Sequence, residues 1–361
     1  MDIARQYTQR PRPPSSDLVF GDPRADLPLH LRPGSDILDK LVAAGIEGDR
    51  VEWADPLCEG PLRPWASDRD RWRDRAIHLS MRYHLSYGQS LRNLGYQDAR
   101  VSEADAYRDV VLWFEHDLFD QMILTFLLTR LATLVAAGRV SLVTIDRHPS
   151  VERFIGLGQL EPADLAALYA QRSPVTTDQV QVALRAWQAM TAPDPQGLNR
   201  LAHEDQPGLP FLRGAMARYL AEFPDPKTGL GQTEQWGLEA IAGGAATPRD
   251  AFPVVQAREA APYQGDSMFY ATLRSLTDGP RPLLETTLYH APPLIKLRDE
   301  QFSQVPLRVT PMGQSVLAGQ RDWFEVHGPA RWQGGVALMG PAPPWRYDPE
   351  TARLVRASET S

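Results

Sequence analysis

Apolar residues fall into different textures along the chain. Between residues 27 and 150, short apolar runs alternate with helical periods. Leu27 to Leu31 reads as a short strand and Val51-Glu52-Trp53 as a second. Val110 to Phe114 and Val140 to Ile145 are continuous apolar runs, as in strands buried on both faces. Ile37 to Ala44 carries apolar residues at 37, 38, 41 and 42, a helical stripe that Ser35 or Asp36 can cap and Gly45 ends. Residues 67 to 94 form one or two Arg-rich helices, and roughly 118 to 137 a long apolar helix stopped by Gly138. This alternation predicts an α/β unit over 27–150 with a mostly parallel, Rossmann-like sheet and helices on both faces.

From 151 to 228 strand character fades, and helical periods appear at Ala163–Tyr169 and Thr177–Met190, with Pro162 and Pro174 near helix starts. From Gly229 the texture changes again. Helices are expected from Thr233 to Ile241, over 248–258 and over 266–276, then a strand from Pro282 to Thr287. Thr310 caps a helix with Pro311 at its first position, running to Leu317 and ended by Gly319. Trp332 to Leu338 and Trp345 to Leu354 read as short strands. Helices followed by a β-ribbon give a small winged-helix-like α+β unit over 229–361. Residues 1–26 form a Pro/Arg-rich arm. Proline clusters at Pro11–Pro33, Pro193–Pro210, Pro224–Pro226 and Pro341–Pro349 punctuate the rest.

Composition narrows the class. Length 361 with 43% hydrophobic and 23% charged residues is ordinary for about two globular domains. The net charge of −7 and the lack of a basic run longer than two residues argue against a nucleic-acid partner. One cysteine, Cys58, excludes a disulfide within the chain and fits a reducing, cytoplasmic compartment. No apolar signal segment is present in residues 1–25, and the stretch Met122–Ala137, interrupted by Arg130, is short for a bilayer span of about 20 residues.

Several segments together resemble a known family. They are His30…Gly34-Ser35, Trp53-Ala54-Asp55…Glu59-Gly60-Pro61 and above all Trp113-Phe114-Glu115-His116-Asp117-Leu118-Phe119-Asp120-Gln121. The back half adds Leu209-Pro210-Phe211-Leu212…Ala217-Arg218, Gly229-Leu230…Thr233-Glu234 and Arg331-Trp332-Gln333-Gly334-Gly335. This set resembles the bacterial domain-of-unknown-function 1835 family with its companion C-terminal domain, over about residues 28 to 350. Where that family shows Gly-Asp-Ser after the first strand, this chain has Pro33-Gly34-Ser35-Asp36. The resemblance implies the architecture and assigns no activity.

Ligands of open α/β sheets bind beyond the carboxyl ends of the strands. Four predicted strand ends carry Gly34-Ser35-Asp36, Asp55…Glu59, Glu115-His116-Asp117 and Asp146-Arg147-His148. Converging on one rim, they would make a small-ligand site. Its catalytic candidates are Glu115, His116, Asp117 and Glu59; its ligand-binding candidates are Ser35, Asp55, Asp120, Gln121 and Arg147. Such a mixture suits acid–base chemistry or oxygen ligation of a divalent metal such as Mg or Mn. His116 and Asp120, four apart, would share a helix face, and nearby carboxylates would raise the His116 pKa. Against this stands helix capping by the acidic residues. Other residues read as scaffold. Asp55 and Glu59 fit a turn before Gly60-Pro61, Asp146-Arg147 a local salt bridge, and Cys58 an inert buried thiol. Trp323, Trp332 and Trp345 fit a small core. His78 and His84, in a helix with Arg75, Arg82 and Tyr83, line either a solvated face or an anion-binding wall. No phosphate loop, dinucleotide fingerprint, His-Glu-x-x-His, Cys-x-x-Cys or Gly-x-Ser-x-Gly is present.

Two functions compete. One is an enzyme or small-ligand binder using the rim. The other is a regulatory protein that contacts DNA or a protein through the winged-helix-like back half; a homo-oligomer is compatible with either. Thr310–Leu317 contains no Lys or Arg, which suits groove reading poorly and favours the first.

Overall fold

The computed structural model describes residues 23–289, 291–328, 330–340 and 345–356. The N-terminal arm up to residue 22, and residues 341–344 of the last proline cluster, lie outside them. The front half is α/β, as the alternation predicts. Strands β1 (Pro28–Arg32), β2 (Asp49–Glu52), β4 (Asp109–Glu115) and β5 (Val140–Ile145) join β6 (Ser173–Pro174) in one sheet of order β2-β1-β4-β5-β6. The first four are mutually parallel, and only the two-residue β6 is antiparallel.

The continuous apolar run of β4 serves two cores. Val110, Leu112 and Phe114 belong to the large one, and Val111 and Trp113 to a smaller one on the other face. The smaller core is completed by α1 (Leu38–Ala43) and α6 (Pro162–Ala170). The larger contains residues of α2 (Asp68–Tyr83), α3 (Tyr87–Ser102), α4 (Leu118–Arg130) and α5 (Ala132–Ala136), and of α7 (Thr177–Thr191), α8 (Gln196–His203) and α9 (Leu212–Leu220). So the helical stretch after residue 151 shares a core with the sheet. The expected helix over 118–137 is broken at Leu131 into α4 and α5. The expected cap of α1 is absent: Ile37 takes the N-cap position, and Asp36 turns to Arg32 instead.

A separate apolar core lies within residues 230–323. It is formed around α10 (Gln232–Ala242), α11 (Pro248–Gln256) and α12 (Asp266–Ser275), the antiparallel pair β7 (Leu284–Thr286) and β8 (Leu307–Val309), α13 (Asp299–Phe302) and α14 (Pro311–Leu317). Thr310 caps α14 through Gly313 N–H with Pro311 next, as its sequence indicates. The last strands belong elsewhere. After α15 (Trp323–His327), β9 (Arg331–Gly334) and β10 (Val336–Leu338) form a hairpin. Its β9 runs parallel to β3 (Gly60–Pro61) of the front half. The hairpin of β11 (Trp345–Asp348) and β12 (Arg353–Arg356) docks on α8, where Asn199 exchanges hydrogen bonds with Leu354. The ribbon expected to finish the back unit therefore packs on the front core. Trp345 joins that core, while Trp323 joins the back one. No described helix is long and apolar enough to cross a membrane.

Candidate functional site

Because β1 connects to β2 on one side and β4 lies on the other, the strand order reverses between β1 and β4. The carboxyl ends of those two strands are Arg32 and Glu115. Arg32 Nη2 donates to Glu115 Oε1 at 2.6 Å, and its Nε and Nη2 donate to the two oxygens of Asp36 at 2.8 Å. Its Nη1 lies 3.9 Å from Asp120 Oδ2. Glu115, Asp117 and Asp120 are buried, with one oxygen of each within 4.8 Å of the others. One oxygen of each already serves the chain. Glu115 Oε1 accepts the Leu157 N–H at 2.6 Å, Asp120 Oδ2 accepts the Glu115 N–H at 2.6 Å, and Asp117 Oδ1 caps α4 through the Asp120 N–H at 3.0 Å. Gln121 Nε2 donates to the Glu115 carbonyl at 2.5 Å. The Arg32 guanidinium thus supplies the cluster with a buried cation, beside Glu115 and Asp120.

Loop 156–158 closes over the pair. A Cβ on Gly156 would stand 2.7 Å from Glu115 Oε2, and one on Gly158 would collide with Asp36. Burial, then the charge of Glu115, pushes the Asp117 carboxyl up to about 7. Burial, then Asp117 and Glu115, pushes Asp120 well above the usual range. Glu52, at the end of β2, is also raised to about 7, by burial and then Asp36.

The remaining rim candidates separate. Helix α4 starts after Asp117, so His116 precedes it and shares no helical face with Asp120. The His116 ring sits between Phe154 and Phe211, each with its centroid 6.0 Å away. Burial lowers its pKa against the pull of Asp146 and Glu115, contrary to the rise expected from its neighbours in sequence. Ser35 is exposed, and the Leu38 N–H bonds its carbonyl. Arg147 is 87% exposed and pairs only locally with Asp146, the salt-bridge reading of that loop. Asp55 is buried and accepts from Arg75 Nε and Nη2 at 2.9 and 2.7 Å, which makes it an anchor for α2 instead of a ligand group.

Glu59 faces elsewhere. It lines a cavity of about 730 Å3 between α2 of the front half and α10, α12, α15 and β9 of the back. Its Oε2 accepts from Tyr83 Oη at 2.5 Å and from Arg82 Nε at 3.3 Å. Gly60 holds this turn with φ +76°, and a Cβ there would stand 2.6 Å from the His78 ring. Burial first, then Arg75 and Arg82, holds His78 well below its usual pKa, so its imidazole is neutral. Burial and Glu59 keep the Tyr83 phenol protonated. The buried thiol of Cys58 is pushed well up by burial and by the charges of Glu59 and Asp117, against the pull of Arg75. Asp55 and Glu59 thus have different tasks although four residues apart.

Sequence reasoning missed Arg32, Arg274, Arg331 and Tyr263. Arg32 left a signal, as a lone cation ending an apolar strand; the others come from the far half, and only folding brings them to the cavity. A scan against protein-family models gives no match, and a search of curated proteins finds no relative.

Proposed function

We propose that this chain is a cytoplasmic small-ligand-binding enzyme with a Rossmann-like front sheet, whose site is the cavity between its two halves. The observation that carries this is the cavity itself. Its volume of about 730 Å3 falls in the range of small-molecule sites, roughly 300–1,000 Å3, and polar groups converge on it from separate elements. Glu59 is the acid–base candidate, positioned by Tyr83 and Arg82, with the neutral imidazole of His78 as a second proton acceptor. The lone buried Cys58 supports a reducing setting. The architectural resemblance to the domain-of-unknown-function 1835 family is part of this reading.

In this reading the closed cluster around Arg32 holds the sheet edge together and the cavity does the chemistry. A metabolite extract equilibrated with the purified chain tests it. At least one small molecule is retained by the native protein, lost when Ser275→Trp fills the cavity wall, and left unconverted by Glu59→Gln. Equal retention by the filled variant would move the site out of the cavity.

A regulatory use of the back half is the second reading, favoured by the order α10-α11-α12-β7-β8, which is winged-helix-like with β7–β8 as the wing. The helix that would enter a DNA groove, α12, is buried from Ser267 to Arg274 and packs on α2, where Arg82 donates to the Ala271 carbonyl at 3.0 Å. The unit therefore spends its recognition face on its own chain. A salt-sensitive, sequence-selective gel shift by the full chain at submicromolar concentration would reinstate nucleic acid as a partner.

A further inference from the structure

We infer that the cavity takes an amphipathic amine, a small molecule whose ammonium group meets Glu59, Glu222 and Tyr263 and whose apolar body lies against Ile77 and Met81 of α2. This rests on the reading of the cavity as a ligand site and adds the chemistry of its occupant.

The charged lining divides by what each group has left to offer. Its arginines are committed to the chain. Arg82 donates from Nε to Glu59 Oε2, and from its terminal nitrogens to the Ala271 carbonyl and Thr272 Oγ1. Arg274 is buried and paired with Asp299. Arg331 gives Nη1 to Glu234 at 2.7 Å and Nη2 to the Glu222 carbonyl at 3.2 Å, and its Nε is buried. Arg63, the most exposed of the four, pairs with Asp74 and lies over the Trp332 ring at 5.5 Å.

Oxygens are in the opposite condition. Glu59 Oε2 takes Tyr83 and Arg82, and Glu222 Oε1 takes Arg218 and Thr233. Glu59 Oε1 and Glu222 Oε2 are left without a partner among the described residues, on side chains 15% and 16% exposed that both line the cavity. Tyr263 adds a second kind of observation. It is only 7% exposed, held with its ring 5.1 Å from the Arg218 guanidinium, yet it lines the same cavity and its hydroxyl bonds no described residue. Its position brings the groups together, since Tyr263 is within electrostatic reach of both Glu222 and Cys58, the residue before Glu59. Carboxylate oxygens only accept, and a phenol accepts as well as donates, so the complement is a group that brings donors and positive charge. Ile77 and Met81, one helical turn apart on α2, are exposed apolar side chains of the same lining. An occupant with an apolar body would cover them, and a bare cation would leave them wet. Glu59, the acid–base candidate, then faces the nitrogen-bearing end of the substrate.

Calorimetric titration of the full chain at fixed ionic strength and neutral pH tests this with probes of matched shape. They are hexylamine, hexanol and hexanoate, and the corresponding benzylamine, benzyl alcohol and benzoate. At least one amine is expected to bind about tenfold or more tightly than its alcohol and its acid, the scale of one charged hydrogen bond. Ser275→Trp should abolish that binding, and Glu222→Gln should weaken it by about tenfold or more. Tyr263→Phe removes a hydroxyl that the described chain does not use, so it should weaken binding by about three- to tenfold with the melting temperature unchanged. An alcohol or acid that binds as tightly as its amine, and is blocked by Ser275→Trp, overturns the amine class while the cavity stands as a site. Amine binding that Ser275→Trp leaves unchanged, or that Tyr263→Phe and Glu222→Gln both leave unchanged, also overturns the inference. If no probe binds, the molecule retained from a metabolite extract decides. An amine released by Tyr263→Phe upholds the inference, a molecule without an amino group overturns it, and retention insensitive to Ser275→Trp removes both readings.

Discussion

Arg32 and Arg82 each stand beside a glutamate, Glu115 and Glu59. Around Arg32 the chain closes on itself. Glu115, Asp36 and the loop at Gly156–Gly158 supply acceptors and cover, and what is stored there is carboxylate crowding. Around Arg82 the chain stays open. Glu59 accepts from Arg82 and Tyr83 on one side, the Ala271 carbonyl and Thr272 hydroxyl accept from Arg82 on the other, and a cavity is left beside them. The difference teaches that a strand-order reversal marks where a ligand can bind without obliging the chain to leave that place vacant. Here the reversal point is filled from within, and the neighbouring seam between two cores provides the space.

The largest expected effect tests the closed side. Arg32→Met leaves buried Glu115 and Asp120 without their cation and should cost about 3–5 kcal/mol in chemical denaturation. A loss below about 1 kcal/mol would break the contrast. Gly156→Ala should cost roughly 1–3 kcal/mol, because its Cβ meets Glu115 Oε2 at 2.7 Å, and should leave cavity binding unchanged in the folded fraction. Gly60→Ala, at the other cluster, should impair binding through the His78 ring.

Asp117→Asn should act in the opposite sense. A carboxyl whose folded pKa is about 7, against an ordinary 3.8, is a cost to the fold. The cost is absent below pH 3.8, grows as pH rises, and is complete above about 7. The amide keeps the helix cap and removes the charge, so melts at pH 8 should show a gain of about 1 kcal/mol or more that vanishes by pH 4. A variant less stable than native at pH 8 would show that the charge is needed there. Glu59→Gln should change stability by at most about 1 kcal/mol while removing turnover of any retained molecule. Smallest of all, His116→Gln should cost roughly 0.5–1 kcal/mol, from lost contact with Phe154 and Phe211, and leave binding intact.

Much of the front half was legible because its signals are local. The run Val110–Phe114 announced a strand with two dry faces, and alternate residues do enter two cores. The Arg-rich stretch over 67–94 announced helices, and two do form there, with His78 of the first on the cavity wall. The capping reading of Asp117 was likewise available from sequence. Gathering every strand-end residue into one rim failed where pairing is long-range. Asp55 is claimed by Arg75, and Glu59 faces a wall from residues beyond 222. His116 failed differently: its acidic neighbours in sequence suggested a raised pKa, while Phe154 and Phe211 bring the desolvation that lowers it.

The two-residue pairing of β3 with β9 joins Gly60 to Gln333 and Pro61 to Gly334. During synthesis, the Glu59–Gly60 wall leaves the ribosome long before its partner exists. The sheet and its helices can condense early on local contacts, but the cavity must wait for nearly the whole chain, since closing so long a loop comes late and slowly. A nascent or truncated chain could therefore complete the smaller core around Trp113, while the larger core and the cavity still wait for residues beyond 320. Closure of the cavity should appear as the last event of maturation, separable in time from the burial of Trp113 in the front sheet.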